Sequence, residues 1–203
     1  MSLGPTLTTD RLILRPPTQD DFPAFAQMMS DAEHVRFIGG QQVRATAWRT
    51  WASIAGSWSL LGFGMFSVIE RESGQWLGRI GPWVPEGWPG NEVGWGLTRT
   101  ATGKGYGVEA ARASIDWAFD VLGWTDVIHI IAPDNLPSAA LAARLGSKNL
   151  GPTRMPPPFD NLQVNAWGQN AAQWPKQRDK SKSHNNPIPS KWGKAHFLHD
   201  TDK

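Results

Sequence analysis

Cysteine is absent from the chain, so neither a disulfide framework nor a thiolate metal site can exist in it. The absence suits a reducing compartment, and a cytoplasmic location is expected. Long apolar runs are missing as well: none approaches the roughly 18 residues that a membrane span requires. The opening MSLGPTLTTD has neither the basic nor the apolar segment of a signal peptide. A soluble protein with no membrane partner is the reading. The histidines show no spacing suited to a metal, and His184, His196 and His199 crowd toward the C-terminus, so no metal is expected. Basic charge is also scarce in the body of the chain. Residues 175–203 carry seven Lys or Arg against three Asp, which leaves the preceding residues at net −2 although the whole is +2. The high isoelectric point therefore belongs to the C-terminal stretch, and the body offers no footprint for nucleic acid.

What is present suffices for one domain with an appendage. A domain over residues 8–174 is expected, followed from residue 175 by a basic, polar, flexible tail. RLILR (11–15) reads as a first strand. A helix with apolar Phe22, Phe25, Ala26 and Met29 should begin near Asp20, with Pro23 in its first turn. A second helical region spans about Arg44 to Ser57. Two β-rich runs divided by Ser73-Gly74 read as a hairpin, and NEVGWGLT (91–98) as the next strand. After a glycine-rich turn comes a well-patterned helix, with Val108, Ala111, Ile115, Ala118, Phe119 and Leu122 on one side. DVIHIIA, an alanine-rich helix closed by Gly146, and one or two further strands, one of them about Asn161 to Gly168, complete the order. Hairpins early and helical crossovers late imply an α/β fold whose mixed, partly antiparallel sheet has six to seven strands flanked by helices.

The turn before the long helix, TATGKGYG (100–107), places glycines at 103, 105 and 107. A glycine turn opening a helix gathers unpaired N–H groups at the positive end of the helix dipole, and so suits an anion. A magnesium-nucleotide loop needs a hydroxyl after its lysine, but Lys104 is followed by Gly105, which disfavours a nucleotide hydrolase. A dinucleotide fingerprint needs a glycine where Val108 stands, and an earlier place in the chain. A diphosphate held without magnesium, beside a strand arriving from a meander, suggests coenzyme A.

Here TGKGYGVEAARASIDWAF resembles the pyrophosphate loop of the GNAT N-acetyltransferase superfamily. EVGWGL resembles that family's central strand, and DNLPSAALAARLGS its N-x-x-[SA] helix. TTDRLILRPPTQDDFPAF and EGWPGNEVGW are similar to the RimJ/RimL-type subgroup, which acetylates protein N-termini. The resemblance covers roughly residues 8 to 174. It implies acetyl-CoA as co-substrate, no metal, and an amine acceptor that is either a peptide N-terminus or a small molecule, in a monomer or homodimer. It places the coenzyme against Thr102, Gly103, Lys104, Gly105 and Gly107, its arm against Leu97 and Thr98, and Asn135 either on the arm or as a helix cap. Thr102 stands where the family prefers Gln or Arg, which implies weaker coenzyme binding.

In Glu92-Val93-Gly94-Trp95-Gly96-Leu97 the side chains alternate, so Glu92 shares a face with two glycines. Glycine inside a strand often marks close approach of a ligand or backbone, and the pair reads as a bare shelf. Glu92 is the candidate base for the acceptor ammonium, the alternative being a solvated strand-end acid. Many family members protonate the leaving thiolate with a Tyr seven residues after the Asn. Here that position is Ala142 and the only tyrosine is Tyr106, so Ser138 is the available hydroxyl, unless it only bonds its own helix terminus. A Glu that the family often carries after this helix falls at Leu150. These departures keep a non-catalytic acyl-CoA-binding module as the alternative. His129 reads as a core or edge histidine, His34 and Arg36 as part of an acceptor-side loop, and Trp83, Trp88 and Trp95 as packing or as the lining of the acceptor cleft.

Overall fold

The structure, a computed structural model, describes residues 3–174; the expected tail from residue 175 lies outside them. Eight strands form one sheet in the order β1-β2-β3-β4-β5-β6-β8-β7. β1 (Leu7–Thr8), β2 (Leu12–Arg15), β3 (Phe66–Glu70), β4 (Trp76–Trp83) and β5 (Glu92–Leu97) make an antiparallel run, and β6 (Asp126–Ile131) lies parallel to β5. β8 (Val164–Asn170) then inserts between β6 and β7 (Lys148–Thr153), antiparallel to both. The expected six to seven strands become eight because β1 has only two residues, too few for any alternation to register.

Four α-helices flank the sheet: α1 (Phe22–Met29), α2 (Arg44–Leu61), α3 (Tyr106–Asp120) and α4 (Leu136–Arg144). A single turn of 3₁₀ helix, Gln19–Asp21, precedes α1, and its Asp21 anchors that corner. Arg15 pairs with both Asp21 oxygens at 2.7 and 2.8 Å, and Ser67 donates to the same carboxylate at 2.8 Å, clipping the start of α1 to β2 and β3. α2 ends at Gly62, which takes the left-handed conformation that favours glycine.

Alternation along the strands sorts the core into two clusters. Leu12, Leu14, Phe66, Val68, Ile80 and Val93 meet Ala110, Ala111, Ile115 and Trp117 of α3. The opposite cluster joins Phe25, Met28, Met29, Trp51 and Ile54 of α1 and α2 to Met65, Ile69 and Trp76. Alanines on the inner face of α3 let the helix lie close to the sheet. Trp58, near the end of α2, reaches round to Phe66 and Trp117 at ring separations of 4.9 and 5.8 Å and so joins the layers. Among the described residues no helix is long and apolar enough to cross a membrane.

Candidate active site

The C-terminal ends of the parallel neighbours β5 and β6 lead to the N-termini of α3 and α4, the place in an open α/β sheet where ligands settle. The glycine turn adopts the form its composition suggests. Gly103 and Gly105 have φ of +77° and +83°, with Lys104 between them, and Gly105 caps α3. The first amides of a helix have no partner within it. Among the described residues, the N–H groups from Gly103 to Val108 donate to no backbone or side-chain acceptor. Gly107 lies inside the first turn, where an added Cβ would stand 2.8 Å from Leu141 Cδ1, so its glycine sets the approach of α3 to α4. Arg11 braces the turn from β2's side: it donates to Lys104 O at 3.0 Å and Glu109 Oε2 at 2.7 Å, and its guanidinium lies 4.6 Å from the centre of the Tyr106 ring. Thr102 and Lys104 are exposed beside these amides, Thr102 giving its hydroxyl to Arg99 O at 2.7 Å.

β5 and β6 are in register at one pair only, Glu92 with Ile128, and then part. Two side chains replace the ladder bonds at the fork. Glu92 Oε1 accepts the Ile130 N–H at 3.1 Å, and His129 Nδ1 lies 2.7 Å from Val93 O. Because a carbonyl only accepts, His129 carries its proton on Nδ1, and Nε2 then accepts from the Ser147 hydroxyl at 3.0 Å. Burial pushes the His129 pKa down to about 4, as a core histidine requires. The Thr98 N–H is spent on Leu77 O at 2.7 Å. Antiparallel alternation then turns the N–H groups of Trp95 and Leu97 toward the fork, so of the two expected amides it is Leu97's that faces the opening and not Thr98's. His34, from the loop after α1, has Nε2 2.6 Å from Leu97 O, while Arg36 stacks on Phe37 and donates to Glu33 O.

Glu92 is not a solvated strand-end acid. It is 6% exposed, and its second oxygen accepts the Trp88 indole N–H at 2.6 Å. Desolvation outweighs these two bonds and the nearby Arg79 charge, raising its pKa to about 7. Nor is the glycine face bare: a Cβ on Gly94 would lie 2.8 Å from Met65 Cε and 3.3 Å from Glu92 Oε1, and one on Gly96 3.0 Å from Ile38 Cδ1. The glycines admit these neighbouring side chains. Trp83, opposite Glu92 in register, and Trp88 belong to this side. Trp95 does not, because odd positions of β5 face α3 and α4. Its ring lies 4.6 Å from that of His129, and its N–H reaches Ser138 Oγ at 3.1 Å. Sequence reasoning missed Arg79, whose register partner Gly96 puts it on the Glu92 face.

The Ser138 hydroxyl is thus not spent on its own helix terminus. Asn135 holds the Ser138 N–H at 3.3 Å, the capping role, while the Ser138 hydroxyl accepts from Trp95 and keeps its own proton to donate. Ala142 is buried, and Leu150 is exposed on edge strand β7.

A profile of the acetyltransferase (GNAT) domain matches residues 11–148. The chain belongs to the GNAT acetyltransferase family. It is 29% identical over 149 residues to an uncharacterized N-acetyltransferase, p20, of Bacillus licheniformis, covering 72% of this chain and 84% of that relative. A crystal structure of an acetyltransferase from Agrobacterium tumefaciens superposes with a TM-score of 0.72 at 31% identity, covering 82% of this chain and 94% of the other. Mycobacterium smegmatis RimJ, solved with CoA-disulfide, shares the fold at 18% identity and a TM-score of 0.64, over 81% and 84% of the two chains. The family makes acetyl-CoA the co-substrate of this GNAT domain, and the donor set fits it: a row of unpaired amides beside the exposed Lys104 for a diphosphate, at the open end of a fork wide enough for side chains to bridge. The described residues hold no cluster of His, Asp or Glu suited to a metal ion.

Proposed function

We propose that the domain transfers the acetyl group of acetyl-CoA to a primary amine by direct attack within a ternary complex. The observation that carries this reading is the fork between β5 and β6, with the amides of residues 103–108 at its mouth and a buried carboxylate at its base. Gly103 to Gly107 bind the diphosphate through backbone N–H groups, with Lys104 adding charge and Thr102 a hydroxyl. The Leu97 N–H, turned toward the fork, donates to the acyl oxygen as charge gathers there, a contribution of about 3 kcal/mol for such a donor. Asn135 keeps the first turn of α4 in place through its cap.

Glu92 takes the proton from the acceptor ammonium, directly or through a water. Its pKa of about 7 suits a group that must hold that proton briefly and pass it on. Ser138, its oxygen fixed by Trp95, donates its hydrogen bond to the departing thiolate. No tyrosine is required for this, since a hydrogen bond lowers the cost of the sulfur charge without full proton transfer. The acceptor is a peptide N-terminus or a small amine, by likeness to the RimJ/RimL-type proteins.

The test is turnover of acetyl-CoA with a broad panel of peptides and amines, followed as thiol release. The expected result is acetylation of at least one class, slowed in Glu92→Gln and Ser138→Ala while the Kd for acetyl-CoA holds. Binding of acetyl-CoA with no transfer to any member would leave a coenzyme-binding module instead.

A further inference from the structure

One charged side chain on the acceptor side has no work in the mechanism above. Arg79 lies in the middle of β4, opposite Gly96, on the face that carries Glu92. Its Nη1 donates to the thioether sulfur of Met65, a weak acceptor, and its Nε is enclosed with no partner at all. Nη2 makes no hydrogen bond to a described residue, and no carboxylate among those residues comes within ion-pairing distance of the guanidinium. The residue as a whole remains partly exposed. A guanidinium whose Nε is enclosed without a partner is costly to keep. The charge fits a partner that arrives from outside.

The position narrows what that partner is. Met65 covers Gly94: a Cβ there would lie 2.8 Å from Met65 Cε and 3.3 Å from Glu92 Oε1, and the sulfur of the same Met65 holds Arg79. Carboxylate and guanidinium therefore both lie against Met65, an unbranched side chain that can swing aside for a ligand. An amine delivered to Glu92 puts whatever lies a few bonds away from it against Arg79.

We infer that Arg79 selects acceptors carrying a carboxylate close to the amine, so that small amino carboxylates are preferred over simple amines, amino amides and ordinary peptide N-termini. The inference rests on the acetyl-transfer reading for its amine and on Arg79 alone for its carboxylate. Loss of a hydrogen bond to a charged group is worth about tenfold to a hundredfold.

The experiment compares kcat/KM for amino acids and their carboxamides in the full chain, Arg79→Met and Arg79→Lys. A second readout, binding of N-acetylamino acids and their amides to the CoA-saturated protein, requires no turnover. The expected result is a preference of tenfold or more for the acid, falling to near unity in Arg79→Met and partly kept in Arg79→Lys. Arg79→Met should also unfold at the same or higher temperature, and should it fail to fold, the lysine variant decides. Equal use of acid and amide by the unaltered protein, or a preference that survives in Arg79→Met, overturns the role of Arg79 and leaves acetyl transfer standing. If no amine is acetylated, the transfer reading fails, and the binding arm still decides: an acid preference lost in Arg79→Met supports the carboxylate site, and its absence removes it.

Discussion

Two titratable side chains bridge the fork, and their energetics run in opposite directions. Glu92 has a folded pKa of about 7 against an ordinary carboxylate value of 4.5, so the folded state binds more protons and stability falls as pH rises from about 4.5 to 7. His129, at about 4 against 6.5, binds fewer protons when folded, so its contribution is complete above pH 6.5 and is lost as pH falls toward 4. In the shared window the slopes oppose one another. Denaturant titrations between pH 4 and 7.5 should therefore show a shallow dependence. Glu92→Gln should unmask a loss of stability on acidification, and His129→Gln a loss on alkalinisation; parallel profiles for all three proteins would contradict the two assignments. The proposed catalysis responds differently, because as a base Glu92 must be ionised to accept a proton. The kcat/KM profile should rise with a midpoint near pH 7, and Glu92→Gln should flatten that limb while lowering the rate about 10²–10⁴-fold.

At the scale of elements, function rests on a turn, a fork and two helix starts. Gly105→Ala places a Cβ at φ +83°, a strain of about 1–2 kcal/mol, and 3.3 Å from Arg11 Nη2. The amides should reorient, and the Kd for acetyl-CoA should rise tenfold or more by calorimetry; an unchanged Kd would detach the turn from coenzyme binding. Ser138→Ala removes the acceptor of the Trp95 N–H and the proposed donor to the thiolate, so kcat should fall and tryptophan emission should shift without loss of coenzyme affinity. Much of this was legible beforehand. The 3.6-residue pattern of α3, the positive-φ glycines and the cap of α4 are local signals, and local signals survive in a bare sequence. Register is not local. That Trp95 faces α4 while Trp83 and Trp88 face Glu92, that Met65 and Ile38 fill the glycine face, and that Arg79 sits across from Gly96 all depend on how β3, β4 and β5 slide against each other. Glu92 could be placed on the strand from sequence, but not its burial, because the enclosing groups come from Trp88 and from Ile130, the latter 38 positions away.

Across the whole molecule the site is a meeting of two layers. On the proposed reading, the coenzyme-facing groups come from the α3 and α4 side, and the acceptor side from β3 to β5, α1 and the loop of residues 31–40. That loop is held over the end of β5 by His34 on Leu97 O and by Arg99, which pairs with Asp31 at 2.9 Å. The ion pair is exposed and screened by solvent, so it holds the loop only weakly over the fixed sheet beneath. A ligand that engages only the folded state stabilises it by about 2.7 kcal/mol at a hundredfold excess over its Kd, and acetyl-CoA should raise the unfolding temperature of the whole domain accordingly. On the proposed reading, the amides at the start of α3 grip the diphosphate and thereby lay the thioester in the fork. The most direct test is a titration of the nitrogen-15-labelled protein with acetyl-CoA, read at individual amides. The largest shifts are expected at Gly103 to Gly107 and at Leu97; saturable binding that leaves those amides unmoved, with the shifts elsewhere, would overturn the assignment.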